Sequence, residues 1–323
     1  MPLIHAEQLT KNFGDTHALA GLDLEVEQGT VLGVLGPNGA GKTTAVRILT
    51  TLLKVEGGRA VIDGIDVAKE PARIRTRIGL TGQYAAVDEK LTARENLELI
   101  GRFFRMSGSE AKARATELLD RFSLDEAGDR VVNGFSGGMR RRLDISMSLV
   151  NRPTVLFLDE PTTGLDPRSR NAMWDMIDEL TADGMTTMLT TQYLEEADRL
   201  AREIVVIDRG RAIAKGTADE LKDLIGGARA DITVGADTPV DLGAIVTALG
   251  AMARSGDPTL TDGVVSVPVK PGTTSPLLTR ALDAAAIPVT DIEVVRPTLD
   301  DVFLTLTGHG ATADDTDEEG DAK

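Results

Sequence analysis

Polar and apolar residues alternate along the first part of the chain, from Leu3 to Leu9 and again from Ala18 to Val26. A period of two residues predicts antiparallel strands, because successive side chains of a strand point to opposite faces. The continuous apolar run from Val31 to Leu35 predicts a buried strand. A turn at 52–58 leads into a further hairpin, Arg59 to Val67, so this region is expected to be rich in strands.

The pattern becomes helical from Leu91 to about Ser148. Apolar residues recur there at intervals of three and four among good helix formers, as in Ala111 to Phe122. Two short apolar runs follow, Val155 to Leu158 and Thr186 to Thr190, each with a helical segment behind it, and a third lies at Ile204 to Ile207. Strands that alternate with helices predict a parallel sheet, so the helical region is expected to be an insert between sheet segments.

The composition changes again near Gly226-Gly227. Short strands such as Ile232 to Val234 and Val264 to Val269 then alternate with helices at 242–249 and 276–285, which predicts a small α+β domain. The end of the chain is rich in Asp and Glu and is expected to be disordered. The predicted organisation is a main domain at 1–225 with a helical subdomain at about 84–150, a small accessory or regulatory domain at 226–309, and an acidic tail at 310–323.

The clearest chemical motif lies at 36–44, where GPNGAGKTT completes the G-x-x-x-x-G-K-[ST] pattern of a phosphate-binding loop. Its glycines allow the backbone to point amide N–H groups inward at a polyphosphate. Lys42 is placed to reach the β- and γ-phosphates, and the Thr43 hydroxyl can ligate Mg²⁺. An ordinary glycine-rich turn is the alternative, but the spacing, the Lys-Thr pair and the flanking pattern favour a nucleotide site. The expected nucleotide-binding residues are Gly36, Pro37, Asn38, Gly39, Ala40, Gly41, Lys42, Thr43 and Thr44.

The apolar run Val155 to Leu158 ends in two carboxylates, Asp159 and Glu160. Ligands of α/β proteins gather at the carboxyl ends of the strands, where the phosphate loop is also expected. Asp159 would then lie beside Mg²⁺, directly or through a water, and Glu160 would act as general base for an attacking water. The alternative is a buried strand that simply ends in two solvated acids.

The composition narrows the range of functions. Asp and Glu outnumber Lys and Arg by 51 to 35, a formal charge of −16, which argues against a general nucleic-acid-binding surface. The run Arg140 to Arg142 is accordingly expected to be a solvated helix face. The 323 residues include no cysteine, which fits a reducing cytoplasm. The chain lacks the start of a signal peptide and any apolar run long enough to span a bilayer, so we expect a membrane role to be peripheral.

Phe135 to Met139, with the sequence FSGGM, resembles the LSGGQ signature of ABC ATPases and precedes the strand that ends at Asp159-Glu160, as that family requires. Gln83 at a strand end and the segment 164–167, GLDP, add to the match, which covers roughly Leu3 to Lys222. The resemblance implies an α/β fold, a P-loop NTPase of the ABC type with a mixed sheet core, an antiparallel β-subdomain and a helical insert. The small α+β domain would follow it.

The resemblance also implies roles around the nucleotide of the same chain. Phe13 would stack on adenine, although plain packing of this side chain is the alternative. Gln83 would touch Mg²⁺ and the attacking water, and it would link the core to the helical insert, which in the family docks on a membrane partner. Glu160, Gln192 and Lys42 would form the catalytic set.

A second copy of the chain would complete each nucleotide site. Ser136, Gly137 and Gly138 open a helix, so their hydroxyl and N–H groups suit a γ-phosphate. In the family this phosphate belongs to ATP bound by the opposite subunit, which implies a homodimer around two nucleotides. Asp166 would couple the two sites across that interface.

Two departures from the family pattern matter. The signature has Phe135 and Met139 where Leu and Gln are usual, but these residues flank the phosphate-facing centre, so we expect function to survive. Gln192 stands in the switch region where most relatives carry His. A glutamine amide can donate and accept hydrogen bonds around the γ-phosphate, but it gains no proton near neutral pH. We therefore predict slow but real hydrolysis, with no activity limb due to a histidine.

The Gln192 switch, the stretch Phe135 to Pro167 and the segment 296–308, RPTLDDVFLTLTG, resemble the daunorubicin/doxorubicin-resistance, or DrrA-type, branch of drug-exporter ATPases. This implies a subunit at the cytoplasmic face of the cell membrane that hydrolyses ATP, with Mg²⁺, to power efflux of a small amphipathic compound through a separate permease. The C-terminal domain would support assembly or regulation, whereas a closing helix at Leu299 to Leu306 that merely packs is the alternative.

Two other functions stay open at the level of the sequence. A soluble ABC ATPase could act as a switch on ribosomes or DNA, but such proteins usually carry two cassettes or a long coiled coil, and this chain has one phosphate loop and no heptad run. A nucleotide-binding module with little turnover would suit Gln192, and the intact Glu160 argues against it.

Overall fold

The computed structural model of the protein describes residues 2–234, 241–261 and 263–308. These residues form two compact units, which divide between Ala218 and Asp219. The boundary predicted at 225 lies later. A helix at 218–224 contributes Asp223, which forms an ion pair with Arg254 of the second unit at 3.0 Å, so this helix is linked to the residues that follow it. The acidic tail predicted at 310–323 lies outside the described residues.

The first unit contains two sheets and a set of helices. Its strands are β1 (Pro2–Phe13), β2 (Thr16–Glu27), β3 (Val31–Leu35), β4 (Gly57–Ile62), β5 (Ile65–Asp66), β6 (Ile78–Thr81), β7 (Val155–Asp159), β8 (Thr186–Thr191), β9 (Glu203–Asp208) and β10 (Arg211–Gly216). Its helices are α1 (Lys42–Leu49), α2 (Pro71–Arg75), α3 (Ala93–Phe103), α4 (Gly108–Arg121), α5 (Gly137–Ser148), α6 (Pro167–Ala182) and α7 (Leu194–Leu200), and α8 (Ala218–Leu224) crosses the division.

The alternating segments at the start of the chain form an antiparallel sheet in the order β2-β1-β4-β5. Ile4 of β1 lies opposite Val26 of β2 and Ile62 of β4, and all three side chains are buried. The alternation therefore predicted this sheet correctly, because one face of each strand joins the core and the other faces solvent.

The continuous apolar runs form the central sheet, in the order β10-β9-β3-β8-β7-β6. All of its neighbouring pairs are parallel except β9 and β10. Every residue of β3, β7 and β8 is buried, as expected of strands that are covered on both faces. Leu35 pairs with Thr191 and Asp159 pairs with Thr190, so the loops after β3, β7 and β8 leave the sheet at the same edge.

Helices α3, α4 and α5 form the predicted insert between β6 and β7. Thr92 with Glu95 and Ser107 with Glu110 make reciprocal capping boxes that satisfy the first N–H groups of α3 and α4. Apolar residues on the inner faces of these helices share one core with Leu156 and Leu158 of β7. This shared core holds the insert against the central sheet, and with both sheets it confirms the fold class.

The second unit has strands β11 (Arg229–Val234), β12 (Thr259–Thr261), β13 (Val264–Pro268) and β14 (Val289–Val295), and helices α9 (Leu242–Leu249), α10 (Ser275–Ala284) and α11 (Leu299–Thr307). The four strands form an antiparallel sheet in the order β12-β13-β11-β14. Up to β14 the elements follow the order β-α-β-β-α-β, a recurrent α+β arrangement. Ile232, Val265, Leu249 and Leu278 are buried in its core, so this unit has a hydrophobic centre of its own.

Helix α11 closes the described part of the chain. Thr298 and Asp301 form a capping box at its start, and Gly308 ends it in the left-handed conformation, with φ +75°. Leu299, Val302 and Phe303 are buried, whereas Leu304 is exposed. Within the described ranges, no helix has the length and apolar character needed to cross a membrane.

Candidate functional site

The phosphate loop lies at the carboxyl end of β3, where two of its glycines have no room for a side chain. A Cβ atom on Gly36 would lie 2.3 Å from the carbonyl oxygen of Ile207, and one on Gly41 would lie 2.4 Å from that of Ala18. Gly41 also has φ +106°, in the left-handed region, directly before α1. The loop therefore keeps a backbone path that leaves the N-terminus of α1 open to a phosphate.

The loop after β9 contacts the phosphate loop through Gly210. Gly210 donates its N–H to the carbonyl of Ala40 and accepts the N–H of Ala20, each at 2.9 Å. Its φ is +74°, and a Cβ atom there would lie 2.8 Å from the backbone of β2. Gly210 thus joins the antiparallel sheet, the central sheet and the phosphate loop at one point.

Lys42 begins α1 and is buried, with 4 % of its side chain exposed. Its Nζ donates to the carbonyls of Gly36 at 2.7 Å and Pro37 at 3.0 Å, and it lies 3.6 Å from Oε1 of Glu160. Burial lowers the pKa of Lys42, while Glu160 and Asp159 act in the opposite direction. The ammonium is therefore held in the loop next to the predicted general base.

Thr43 and Asp159 meet at the same edge. The Thr43 hydroxyl donates to Oδ1 of Asp159 at 3.1 Å, and Thr190 of β8 donates to the same oxygen at 2.5 Å. Hydroxyl and carboxylate oxygens are hard ligands of the kind that Mg²⁺ prefers, so the donor set fits this ion. Thr190 did not emerge from the sequence, because only the pairing of β7 with β8 brings it beside Asp159.

Glu160 follows β7 in the left-handed backbone conformation, with φ +49°. A non-glycine residue there carries strain of about 1–2 kcal/mol. Its N–H donates to the carbonyl of Thr190 at 3.1 Å, and its carboxylate accepts from Thr163 at 3.3 Å and from Gln83 Nε2 at 3.5 Å. The side chain is buried. The strand end thus aims this carboxylate at Lys42 and Gln83.

Gln192 follows β8 at the edge where the phosphate loop follows β3, because Thr191 pairs with Leu35. Its side chain is half-buried. The nearby switch helix α7 contributes Glu196, which the sequence did not single out. Glu196 is fully buried and accepts hydrogen bonds from Thr162 at 2.9 Å and Trp174 at 3.1 Å, and burial raises its pKa.

The signature lies at the start of α5. Ser136 is its N-cap, with Oγ accepting the N–H of Met139 at 3.2 Å, and Gly137 is exposed beside it. A Cβ atom on Gly138 would lie 2.8 Å from Oγ of Ser169, whose hydroxyl and N–H both bind Asp166. Among the described residues, no hydrogen bond joins Ser136, Gly137 or Gly138 to the phosphate loop of the same chain.

The two phenylalanines of the predicted motifs, Phe135 and Phe13, differ in burial. Phe135 is buried in the core of the helical insert, which explains a large apolar residue at this position of the signature. Phe13 ends β1 with 48 % of its side chain exposed, and Lys11 Nζ lies 5.5 Å from its ring centre. This exposure leaves a ring face free to stack, so the adenine role of Phe13 stays a prediction.

The expectation of a solvated face at Arg140 to Arg142 is wrong for Arg141. This side chain is buried and donates to backbone carbonyls at the ends of β6 and β7, and it forms an ion pair with the buried Asp144. The sequence could have predicted this ion pair, because Arg141 and Asp144 have opposite charges and residues three apart lie on one helix face. The acidic composition of the chain as a whole obscured that local pair.

Comparison with known proteins agrees with this geometry. The ABC transporter family matches residues 19–163, and the family described as ATP-binding protein DrrA1-3-like, C-terminal domain, matches residues 216–307. The chain is 54 % identical over 309 residues to the daunorubicin resistance ATP-binding protein DrrA2 of Streptomyces coeruleorubidus, covering 95 % of each chain. It is 46 % identical to the daunorubicin/doxorubicin resistance ATP-binding protein DrrA of Streptomyces peucetius, covering 98 % of this chain and 95 % of that one.

Solved structures show the same fold over about two thirds of the chain. An ATP-binding cassette of an ABC transporter in its ADP conformation has a TM-score of 0.63 and 28 % identity, covering 68 % of this chain and 92 % of that one. A dimeric post-hydrolysis state of another cassette, bound to ADP and Pi, has a TM-score of 0.60 and 29 % identity, covering 66 % and 98 %. The chain therefore belongs to the ABC transporter family of ATPases, in its DrrA-type branch.

Proposed function

We propose that this ATPase powers the export of a small amphipathic compound through a separate membrane permease, on whose cytoplasmic side it acts. The observation that carries the hydrolytic part is the cluster of Lys42, Thr43, Asp159 and Glu160 at one sheet edge, with Gln83 Nε2 3.5 Å from Glu160. The transport part is supported by relatives that are named for resistance to daunorubicin and doxorubicin.

The chemistry follows from the positions of the side chains. The N–H groups of the phosphate loop and Lys42 hold the β- and γ-phosphates, since Lys42 is anchored in that loop. Thr43 and Asp159, with Gln83, would hold Mg²⁺, which supplies charge neutralisation on the phosphate oxygens when it is bound. Water attacks the γ-phosphorus, the bond to the β–γ bridging oxygen breaks, and Glu160 accepts the proton.

A second copy of the chain completes the site in this proposal. Ser136 and Gly137 are exposed at a helix N-terminus, which suits a γ-phosphate presented by another protein surface. A cassette with the same fold has been solved as a dimer bound to ADP and Pi, which supports this arrangement. Closure of such a dimer on ATP and its reopening after hydrolysis would drive the permease.

The test looks for a multi-span membrane protein encoded next to this chain, reconstitutes the two together in vesicles, and uses daunorubicin fluorescence as the probe. ATP-dependent accumulation with the wild type, and none with Glu160→Gln, is the expected result. Phosphate release that depends on Glu160 but moves none of a panel of amphipathic compounds would reject transport and favour an ATPase switch. Equally negligible phosphate release from wild type and Glu160→Gln would favour a binding module.

A further inference from the structure

Helix α5 carries a buried ion pair one turn after the signature. Nη1 of Arg141 lies 3.4 Å from Oδ2 of Asp144, and the side chains are 7 % and 5 % exposed. Burying two charges is costly unless hydrogen bonds satisfy the remaining polar groups of both. The partners of this pair therefore indicate what it is for.

Arg141 uses all five of its N–H groups. Besides Asp144, its guanidinium donates to the carbonyls of Gly82 at 2.6 Å, Pro161 at 2.7 Å, Glu160 at 3.1 Å and Asp159 at 3.3 Å. One planar group thus binds the residue before Gln83, the last residue of β7 and the two residues that follow it. A lysine at this position would have three donors on a single nitrogen and could not span these carbonyls.

Asp144 holds the other side of the Gln83 segment. Its Oδ1 accepts the N–H of Ala86 at 2.9 Å, while Arg141 binds Gly82. The segment 82–86 is therefore anchored to α5 at both of its ends. Gln83 lies between the two anchors and contacts the Glu160 carboxylate.

We infer that Arg141 and Asp144 are positioning residues for ATP hydrolysis, which keep Gln83 and Glu160 in register with each other. The inference rests on the proposed function, since it concerns the same reaction. Arg141 binds the carbonyl of Glu160, whose backbone is in the left-handed conformation, and so helps to keep the carboxylate aimed at the site. Any displacement of the Gln83 segment is passed to Glu160 through one guanidinium.

Steady-state hydrolysis by the full-length chain tests this with Arg141→Gln, Arg141→Lys and the matched control Arg142→Gln. Arg142 lies on the same helix and also binds carbonyls, those of Phe122 and Ser123, but it does not touch the site. We expect Arg141→Gln to lower kcat by about tenfold to a hundredfold, because the general base loses its alignment. KM and the affinity for ATP should stay within about twofold, since the phosphate loop is unchanged. Arg141→Lys should remain well below wild type, and Arg142→Gln should keep nearly full kcat.

A double-mutant cycle sharpens the test. Gln83→Ala and Arg141→Gln should be strongly non-additive in kcat, since both remove the same alignment, whereas Gln83→Ala and Arg142→Gln should be additive. If Arg141→Gln does not fold, Asp144→Asn replaces it, because the amide keeps the size and an acceptor for Ala86. A lower kcat with unchanged ATP affinity supports the inference.

Three results would overturn the inference. The first is an unchanged kcat in the folded Arg141→Gln or Asp144→Asn variant. The second is additivity in both double-mutant cycles. The third is a parallel loss of kcat, ATP affinity and thermal midpoint in Arg141→Gln and Arg142→Gln. A wild-type protein without Glu160-dependent hydrolysis would instead reject the proposed function, so the two failures are distinguishable.

Discussion

The carboxyl edge of the central sheet and the N-terminus of α5 differ in how far one chain satisfies their functional groups. At the sheet edge, Lys42, Asp159 and Glu160 are buried and linked to neighbours at 2.5–3.6 Å. At the start of α5, Ser136 caps its own helix and Gly137 is exposed. In the proposed function, the first region is preorganised for chemistry, whereas the second would offer the N–H groups of its first helical turn to a phosphate held by another chain.

The largest effect should come from removing the proposed general base, Glu160. Glu160→Gln keeps the size of the side chain and one acceptor, but it cannot take the proton of water, so kcat should fall by about 10²–10⁴-fold. ATP binding should persist, because Lys42 and the loop are intact, and size-exclusion chromatography with ATP should show a stable dimer. Failure of this variant to dimerise with ATP would count against the shared site.

The next largest effect should come from a negative charge at the start of α5, which would alter the second region and leave the sheet edge unchanged. Gly137→Asp has room, and an acidic residue suits a helix N-terminus, so the fold should be retained. Its carboxylate would repel a γ-phosphate from a second chain, which should reduce kcat by about tenfold to a hundredfold with little change in ATP binding. Gly134→Asp, an equally uncrowded site before the signature, is the matched control.

Mixing two defective variants tests whether the regions belong to one composite site. Gly137→Asp and Lys42→Ala should each be strongly impaired alone, while a mixed dimer contains one intact pair of surfaces. Phosphate release should therefore recover, to at most about a quarter of the wild-type value in an equal mixture. No recovery, although mixed dimers are detected, would argue that each site lies within one chain.

The buried pair one turn into α5 predicts a pH dependence of stability. Burial raises the pKa of Asp144 to about 6 from the ordinary 3.8, against the effects of the Ala86 N–H and Arg141. The folded state then binds the proton more tightly, so this stabilisation is complete below pH 3.8 and is lost as pH rises through about 6.

Urea unfolding of wild type and Asp144→Asn between pH 4 and 7 measures that effect, because groups common to both proteins cancel. Relative to the variant, the wild type should lose up to about 3 kcal/mol as pH rises over this range. A difference that does not change with pH would show that Asp144 is ionised throughout in the folded protein.

The smallest effect concerns the switch residue at the sheet edge. Gln192→His should add a pH-dependent limb to kcat between about pH 6 and 7, of a fewfold at most, because imidazole titrates there and an amide does not. In the wild type, residue 192 should contribute no titration in this range, and any limb that comes from another group, such as Asp144, should persist in Gln192 variants. A wild-type titration that disappears only in Gln192 variants would refute the expectation.

The features that were predictable are those encoded by contiguous residues. The phosphate loop, the Asp159-Glu160 strand end and the signature each occupy a few neighbouring positions, and continuous apolar runs located β3, β7 and β8. Strand β14 was missed because its inner residues, such as Ile292 and Val294, are only half-buried and its pattern is weak.

The features that escaped depend on contacts between distant segments. Thr190 reaches Asp159 only through strand pairing, and the left-handed backbone of Glu160 has no signature in residue type. Arg141 was assigned to solvent because the global charge of the chain says nothing about which arginine faces the core. The net charge of a chain does not show which arginine is buried, because burial depends on the carbonyl groups that the folded chain places around that guanidinium.

The close packing around Gly210 predicts where loss-of-function substitutions should occur. This glycine belongs to none of the motifs, yet any larger residue at its position would collide with the backbone of β2. The collision would break the hydrogen bond from its N–H to the carbonyl of Ala40 in the phosphate loop. In an unbiased screen for cells that have lost this protein's activity, missense changes at this codon should recur alongside those at Lys42 and Glu160.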